Sequence, residues 1–359
     1  MTALFDHIAR RIGAEGPLRL DQYMTEVLAH PEHGYYMTGD PLGRSGDFVT
    51  APEVSQMFGE LIGLWCAHVW TQMGRPAKLC LVELGPGRGT LMADALRAAA
   101  GVDGFAEAAE AHLVETSPSL QKRQRRSLSG LAVPVTWHQR FSEVPGGPLL
   151  VIANEFLDVL PIRQFVRIAA GWAERCVTLD GGGQSLAWTD QPVQSPPDLA
   201  EAPIGDVMEI SPPRAAAAAE LAAAIAAHGG GALLIDYGHL ESAPGDSLQA
   251  IKGHQYHNVL ADQGEADVTA HVDFAALAAV CGAVRVSGPV TQGAFLGALG
   301  IEARAAQLSA NATPRQTGDI LEGLKRLIAP AEMGTLFKAM ALTNKRQPAP
   351  EGFGRSITS

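Results

Sequence analysis

Hydrophobic side chains recur along this chain in two different spacings. Between Thr50 and Gly74 they recur every three or four residues, which predicts a single packed helix. Thr50 and Glu53 match a capping box, and Pro52 suits a first helical turn. The pattern therefore predicts a helix that begins at Thr50, ends before Gly74 and uses Glu53 in its N-terminal cap.

From Leu79 onward, short apolar runs alternate with helical segments, which predicts a parallel sheet with helices on both faces. Strands are predicted at 79–84, 112–115, 135–138, 149–153, 232–236, 284–287 and 336–342. Helices are predicted at 90–100, after a cap at Ser117, at 213–228, from Asp273 and across 295–328. A hairpin is predicted at 165–188. The chain is thus expected to be an α/β protein.

Composition and charge exclude several classes of protein. Hydrophobic residues make up 47% of the chain and charged residues 18%, which excludes disordered and coiled-coil proteins. With 27 basic and 38 acidic residues the net charge is -11, so no overall positive field attracts nucleic acid. The apolar stretch 215–227 is short and contains Glu220, so no membrane span is predicted. Charges at Asp6, Arg10 and Arg11 argue against a secretory signal and favour the cytoplasm.

Metal-binding patterns are weak in this sequence. The four cysteines are far apart and form no CxxC pair. Two histidine pairs lack the HExxH frame and have no neighbouring cysteines, namely His30 with His33 and His254 with His257. No metal is therefore expected.

The most informative segment is VELGPGRGT, a glycine-rich turn between a predicted strand and a predicted helix. Gly85, Gly87 and Gly89, with Pro86 between the first two, let the backbone bend sharply and approach a ligand. A dinucleotide fingerprint would need its third glycine at Thr90, so the spacing argues against a nicotinamide oxidoreductase. An acid followed by G-x-G-x-G instead resembles the first motif of class I S-adenosylmethionine-dependent methyltransferases. A tight turn without a ligand is the alternative.

Two acids accompany this loop. Glu115 lies 30 residues after Gly85, at the end of the next predicted strand. A carboxylate there can accept hydrogen bonds from both ribose hydroxyls of an adenosyl ligand, whether S-adenosylmethionine or NAD. Glu83 is predicted either to orient the ammonium group of the ligand or to hydrogen-bond the loop.

Further polar residues follow the strand predicted at 149–153. Asn154, Glu155 and Asp158 come directly after it, where α/β folds place their ligands. If the segment is helical, Glu155 and Asp158 face one ligand together, with Asn154 beside the cofactor. A local cap or salt bridge is the alternative for Asp158. Asp236 and Tyr237 end another predicted strand and are either cleft residues or buried pairing partners.

The loop and its neighbours together resemble one family. The motifs, in chain order, are GRSGDFVTAPEVSQMFGE, LVELGPGRGTL, HLVETSP, NEFLDVLP, IDYGH and GEADVTAHVDF. They resemble the MidA-like family of class I methyltransferases, which includes the mitochondrial complex I assembly-factor arginine methyltransferase and its bacterial relatives. The resemblance extends from Arg19 to Leu342.

This resemblance implies a Rossmann-like, mostly parallel sheet with a helical cap from the N-terminal region and a late helical insertion. The expected ranges are the cap at 1–74, the methyltransferase core at 75–294, the insertion joining the cap at 295–330, the last core strand at 331–346 and a tail at 347–359. The tail is rich in Pro, Gly and Ser, so we expect it to be loosely ordered.

The resemblance also implies an activity. S-adenosylmethionine is the expected methyl donor and S-adenosylhomocysteine the product. The implied acceptor is an arginine of a respiratory complex I subunit, which would be symmetrically dimethylated. The implied location is a bacterial cytoplasm. The oligomeric state is left open. Asp47 joins Glu155 and Asp158 as a catalytic-site residue, although Gly-Asp is also ordinary turn chemistry. A non-catalytic assembly chaperone and a methyltransferase with a small-molecule acceptor are the alternatives.

Overall fold

The computed structural model describes residues 2–38, 50–199 and 201–354. The helices in these residues are α1 (Ala3–Glu15), α2 (Leu20–Ala29), α3 (Tyr35–Thr38), α4 (Ala51–Val54), α5 (Gln56–Gln72), α6 (Thr90–Ala99), α7 (Phe105–Ala108), α8 (Pro118–Ser127), α9 (Pro212–His228), α10 (Phe274–Val280), α11 (Gln292–Ala298), α12 (Ile301–Ser309), α13 (Pro314–Ile328) and α14 (Met333–Leu336). The strands are β1 (Leu18–Arg19), β2 (Leu79–Leu84), β3 (Ala109–Val114), β4 (Val135–His138), β5 (Leu149–Asn154), β6 (Arg163–Ile168), β7 (Gly171–Leu179), β8 (Leu186–Val193), β9 (Val207–Ile210), β10 (Gly230–His239), β11 (Gln249–Lys252), β12 (Gln255–His257), β13 (Asp267–Thr269), β14 (Val272–Asp273), β15 (Arg285–Thr291) and β16 (Phe337–Thr343).

The described chain divides into two compact units. The first consists of the described residues of Met1–Phe48, Asp158–Ala216 and Glu241–His271, and the second of those of Val49–Leu157, Ala217–Leu240 and Val272–Ser359. The chain passes repeatedly from one unit to the other. Residues 50–74 thus group with the second unit, whereas residues 2–38 belong to the first unit.

The second unit contains the predicted parallel sheet. Its strands lie in the order β15-β16-β10-β5-β2-β3-β4, with β14 also paired to β10. The five strands β4, β3, β2, β5 and β10 are parallel, and β16 runs antiparallel between β10 and β15. Because β2 has β3 on one side and β5 on the other, the strand order reverses at β2. This reversal opens a crevice at the carboxyl ends of the strands, where such sheets bind ligands.

Close packing of helices on this sheet depends on particular residues. Gly63 of α5 lies so close to α6 that a Cβ atom there would be 2.2 Å from the carbonyl oxygen of Ala95. Glu60 of α5 is 2% exposed and receives hydrogen bonds from Arg97 at 2.8 Å and Arg304 at 2.8 Å. Burial opposes ionisation of Glu60, yet the two guanidinium groups lower its pKa overall. This ionic cluster links α5 to α6 and α12.

The helix predicted from Thr50 to Gly74 is in fact two helices. Ser55 is extended, with φ -159° and ψ 136°, and separates α4 from α5. The Ser55 hydroxyl accepts a hydrogen bond from the Met57 N–H and caps α5, whereas the Thr50 side chain makes no capping hydrogen bond. The predicted capping box was therefore wrong, because Ser55, five residues after Thr50, offers a second N-cap.

The first unit contains antiparallel sheets packed with α1 and α2. One sheet has the order β1-β7-β6-β9 with β8 paired to β7, and a smaller one has the order β12-β11-β13. The predicted hairpin is confirmed by β6, β7 and β8. Ile8 and Tyr23 are completely buried in the core beneath the two helices, and the Tyr23 hydroxyl donates to the Val259 carbonyl at 2.6 Å.

Part of the predicted loose tail is packed. Phe353 is 6% exposed and lies against Phe295, with ring centroids 5.1 Å apart. The Trp65 indole N–H donates to the Glu351 carbonyl at 3.1 Å. One aromatic side chain thus anchors a segment whose composition alone predicts loose order.

The alanine-rich helix α9 is amphipathic in the portion that belongs to the second unit. Ala218, Leu221, Ala222 and Ile225 are buried, while residues on the other face are exposed. Among the helices of residues 2–38, 50–199 and 201–354, none has the combined length and apolar character of a bilayer-crossing segment.

Candidate active site

The glycine loop follows β2 at the strand reversal. Gly85, Gly87 and Gly89 have φ angles of 61°, 52° and 80°, all in the left-handed region. A Cβ atom on Gly85 would also lie 3.0 Å from the Phe156 ring. Both observations explain why glycines occupy these positions, since side chains there would be strained and crowded. The loop therefore presents bare backbone to the crevice.

Glu83, at the end of β2, supports the helix that follows this loop. Its side chain is 3% exposed and accepts a hydrogen bond from the Met92 backbone N–H, in the first turn of α6. The N-cap residue Gly89 has no side chain to do this. Burial raises the pKa of Glu83 to about 8, with the charge of Glu115 adding to this rise and the Met92 hydrogen bond opposing it. The second carboxyl oxygen, Oε2, is buried with no hydrogen-bond partner in the described part of the chain.

Glu115 follows β3 at the same edge of the sheet. One carboxylate oxygen accepts from the Ser117 N–H at 2.7 Å and the other from the Gln124 amide at 3.0 Å. Burial raises the pKa of Glu115, and these hydrogen bonds oppose the shift. Each carboxylate oxygen has two lone pairs, so Glu115 retains capacity to accept hydrogen bonds from a ligand.

Gln124 connects the parts of this site and was missed by the sequence analysis. It is completely buried on α8, and its amide N–H groups donate to the Gly87 carbonyl at 2.8 Å and to Glu115. Its amide oxygen accepts from the Trp137 indole at 2.9 Å. The available signal was its position four residues after the buried Leu120, which places a polar amide on the inner face of α8.

Glu155 follows β5 in a strained backbone conformation. Its φ of 51° is unusual for a residue with a side chain. Its carboxylate accepts from the Ala51 N–H at 3.1 Å and from the Asn154 amide at 3.1 Å. The Asn154 amide oxygen is buried and has no hydrogen-bond partner among the described residues. Strain of this kind persists where the surroundings impose it, and it concentrates at functional sites.

The helix considered for residues after Asn154 does not form, because they continue as a turn. Asp158 belongs to the first unit, where it is 4% exposed and its carbonyl accepts from the Ala270 N–H and the Arg214 guanidinium. In the second unit, Asp236 is completely buried and accepts hydrogen bonds from the Leu157 and Tyr237 N–H groups. The structure thus gives Asp236 a role in positioning the turn after β5.

The loop of Asp47 lies outside the described residues, but Glu53 lies at the glycine loop. Its carboxylate accepts a hydrogen bond from the Thr90 hydroxyl and lies 4.0 Å from the Arg88 guanidinium. Glu53 therefore links α4 to the start of α6 instead of capping its own helix. Local spacing predicted Glu53 only as a cap, and it contains no signal for this contact.

Histidines do cluster in the first unit. Ligand-capable atoms of His7, Glu26 and His30 lie within 4.8 Å of one another. Glu26, however, is ion-paired with Arg11 at 2.6 Å. His30 Nδ1 accepts from two backbone N–H groups of the following turn, which leaves the proton of a neutral ring on Nε2. These pairings account for the cluster without a metal ion.

Taken together, the carboxyl edge of the second unit's sheet places three acids at three helix starts. Each acid accepts a hydrogen bond from a backbone N–H group: Glu83 from Met92 in α6, Glu115 from Ser117 at the N-cap of α8, and Glu155 from Ala51 in α4. In dinucleotide-binding folds, a helix start at this position instead receives the anionic pyrophosphate. A crevice lined by carboxyl groups favours a positively charged ligand.

Known proteins can be compared with this arrangement. Residues 61–290, more than half of the chain, match the model of a family described as "Putative S-adenosyl-L-methionine-dependent methyltransferase". The chain belongs to this family. The resemblance inferred from the motifs is thereby confirmed, and S-adenosylmethionine is the cofactor of this methyltransferase.

Similar proteins span nearly the whole methyltransferase. A Xenopus laevis protein named "Protein arginine methyltransferase NDUFAF7, mitochondrial" is 37% identical, over 94% of this chain and 83% of its own length. The human protein of the same name is 34% identical, over 95% of this chain and 83% of its own length.

Two solved structures from Burkholderia thailandensis have the same fold. One, bound to S-adenosyl-homocysteine, is 28% identical with a TM-score of 0.84 and covers 98% of this chain and 95% of its own. The other, a native structure, is 29% identical with a TM-score of 0.81 and covers 98% of this chain and 94% of its own. The α/β methyltransferase fold predicted from the sequence is confirmed.

Proposed function

We propose that this methyltransferase transfers methyl groups to arginine nitrogens of a protein. The observation that carries the proposal is Glu155, whose carboxylate lies at the strand reversal on a strained backbone. The next residue is Phe156, whose ring would crowd a side chain at Gly85. The Xenopus laevis and human relatives are named protein arginine methyltransferases, which supports the same acceptor.

The donor is proposed to bind along the carboxyl edge. The backbone of Gly85, Pro86, Gly87 and Gly89 would lie against it, and Glu115 would accept hydrogen bonds from its ribose hydroxyls. The buried oxygen of Asn154 needs a hydrogen-bond donor, which the ammonium group of the bound molecule can supply. Glu83 would act beneath the loop by holding the start of α6. When bound, S-adenosylmethionine supplies an electrophilic methyl group on a sulfonium.

The acceptor chemistry explains why a carboxylate is needed. A guanidinium stays protonated at neutral pH and its delocalised charge makes each nitrogen a poor nucleophile. Glu155 can bind it through charge-assisted hydrogen bonds and localise that charge away from the attacking nitrogen. The Ala51 N–H and the Asn154 amide hold Glu155 in place, so little reorganisation is required on binding. We retain Asp158 and Asp47 as further acceptor-site candidates on the strength of the family motifs.

The finer features of the activity belong to the same proposal. Symmetric dimethylation and a respiratory complex I subunit as substrate rest on the resemblance stated above. The bacterial cytoplasm remains the predicted location, whereas the relatives are named as mitochondrial proteins. Mass spectrometry of arginine peptides from cells with and without the protein, after cell fractionation, tests the substrate and the location together.

The acceptor proposal is tested with the purified chain and a protein substrate identified in that comparison. Glu155→Gln should lower the methylation rate by at least 100-fold, because the amide cannot balance a guanidinium charge. S-adenosylhomocysteine affinity, measured by calorimetry, should change less than threefold. The matched control is Glu322→Gln, at an exposed glutamate of α13, which should leave both quantities unchanged.

Two outcomes would contradict the proposal. Methyl groups found on lysine, on a backbone amine or on a small molecule would show a different acceptor. Complex assembly that proceeds normally with Glu155→Gln, while methylation is lost, would favour the assembly chaperone.

A further inference from the structure

A second cavity lies at the amino edge of the same sheet, opposite the glycine loop. It has a volume of about 670 Å³. Its walls come from residues that precede β2 and β5, from the start of β10 and from the turn after β16. Since β2, β5 and β10 are parallel, this cavity and the proposed active site lie at opposite ends of these strands.

The ionisable side chains around this cavity are basic. His228, Lys345 and Arg346 line it, and none of the lining residues, all within the described chain, carries a carboxylate. In residues 2–38, 50–199 and 201–354, no carboxylate lies within ion-pair distance of Lys345 or Arg346. Lys345 donates to the Gly282 carbonyl at 2.7 Å, which fixes its ammonium group nearby. In a chain of net charge -11, this grouping favours an anion.

Gln347 adds a directed hydrogen-bond donor. Its side-chain oxygen accepts from the Asn344 backbone N–H at 3.1 Å. A backbone N–H can only donate, so the amide oxygen must face Asn344 and the NH₂ group must point the other way. Gln347 is 9% exposed, and Nε2 is buried without a hydrogen-bond partner among the described residues. A buried donor in this state is unfavourable until an acceptor reaches it.

Part of the remaining cavity wall is apolar, and Asn344 adds a polar side chain. Met73, Pro76 and Pro148 line the apolar part together with alanines from α9. A ligand that fills the space therefore combines a compact apolar body with an anionic group that accepts hydrogen bonds. Such a combination of apolar walls and a few placed polar groups is typical of small-molecule sites.

We propose that this amino-edge cavity binds a small molecule whose carboxylate or phosphate group accepts a hydrogen bond from Gln347 Nε2 and is balanced in charge by Arg346 and Lys345. The site is separate from the donor and acceptor sites and does not depend on the proposed methyl acceptor.

The binding test uses the full chain and nuclear magnetic resonance of the Gln347 side-chain amide. The probes are phenyl phosphate and benzoate, with neutral benzyl alcohol as the matched apolar control. Either anion should shift the Gln347 NH₂ resonances saturably at millimolar concentration, and the difference between the two identifies phosphate or carboxylate as the preferred group. Benzyl alcohol should leave these resonances within their baseline scatter.

Variants test whether the named residues carry the binding, measured by calorimetry with the better probe. Gln347→Glu keeps the oxygen facing Asn344 but replaces the donor with a negative charge, so affinity should fall at least 10-fold. Arg346→Ala should weaken binding about threefold. Arg326→Ala, at an exposed arginine of α13, should have no effect.

Each variant is first checked for unchanged S-adenosylhomocysteine affinity, which reports correct folding of the sheet. If Gln347→Glu fails this check, Arg346→Glu, at an exposed position, replaces it with the same expected loss. The proposal is overturned if neither anion shifts the Gln347 resonances at 20 mM, or if benzyl alcohol shifts them equally. Affinity that survives in the charge-reversed variant overturns it as well.

Discussion

The two edges of the second unit's sheet differ in the ionisable groups that they carry. At the carboxyl edge, Glu83, Glu115 and Glu155 each accept a backbone N–H from the start of a helix. At the amino edge, the ionisable residues of the cavity are basic: His228 ends α9, and Lys345 and Arg346 follow β16. The same strands therefore present acids at one end and bases at the other.

For Glu83 and Glu115, whose helices α6 and α8 follow β2 and β3, the position at the carboxyl edge follows from the parallel arrangement of the strands. In a parallel sheet the helix that follows each strand starts at the carboxyl edge and ends at the amino edge. Helix starts stabilise negative groups and helix ends stabilise positive groups. In this methyltransferase the helix starts are already satisfied by carboxyl groups, so the carboxyl edge suits a cationic sulfonium and a guanidinium. The proposed anion site lies at the amino edge.

The largest expected effect tests the carboxyl edge. Glu115→Ala removes the acceptor proposed for both ribose hydroxyls and should lower S-adenosylhomocysteine affinity about 100-fold, or about 2.7 kcal/mol, in calorimetry. Glu110→Ala, at an exposed residue of β3, is the matched control and should be neutral. An affinity loss below threefold for Glu115→Ala would mean that the ribose is bound elsewhere.

The free energy of unfolding should depend on pH, because Glu83 is a buried acid at the carboxyl edge. The pKa of Glu83 is about 8 in the folded chain, against 4.5 for an ordinary glutamate. Between these values the folded state keeps a proton that the unfolded state loses, so stability falls as pH rises from about 4.5 to about 8. Glu83→Gln keeps an acceptor for the Met92 N–H and cannot titrate.

Urea unfolding at pH 5 and pH 7 measures this effect. The loss of unfolding free energy between the two pH values should be about 2 kcal/mol smaller in Glu83→Gln than in the natural chain. Part of the decline should persist in the variant, because burial also raises the pKa of Glu115. Equal slopes for the two proteins would show that Glu83 titrates normally.

A smaller effect is expected from the loop backbone. Gly85→Ala places a side chain at φ 61° and 3.0 Å from Phe156, which should cost about 1–2 kcal/mol of unfolding free energy. Gly101→Ala has no positive φ and only an ordinary contact at 3.6 Å, so it should change stability by less than about 0.5 kcal/mol. Thermal unfolding of both variants checks the difference, and equal losses would contradict it.

The smallest effect tests whether the edges are independent. Arg346→Ala changes the amino edge only and should alter S-adenosylhomocysteine affinity by less than a factor of two. Distant sites without shared partners usually behave additively. A larger change would show that the two edges are coupled through the strands and do not act independently.

Several parts of the site could be predicted because their signals are local. The spacing of Gly85, Gly87 and Gly89 predicted a bare loop, and all three glycines have the expected positive φ. Ser117 followed by Pro118 predicted the start of α8, where the Ser117 hydroxyl accepts from the Leu120 N–H. Backbone conformation and helix caps depend on a few neighbouring residues, so they can be read along the chain.

Other parts escaped prediction because their partners are distant in sequence. Gln124 and Glu53 contact the glycine loop and Thr90 across 37 residues each. Phe353 orders its segment by packing on Phe295. Such contacts form only when helices dock on the sheet, and no spacing rule within one segment contains them.

The sequence by itself determined the alternation of strands and helices, the bare loop after β2 and the family of this methyltransferase. Tertiary structure decided which helix start each acid would satisfy, the strained conformation of Glu155 and the gathering of basic groups at the amino edge. The physical reason is range: propensity and turn chemistry act over a few residues, whereas burial and hydrogen-bond satisfaction depend on segments that meet only in the folded chain.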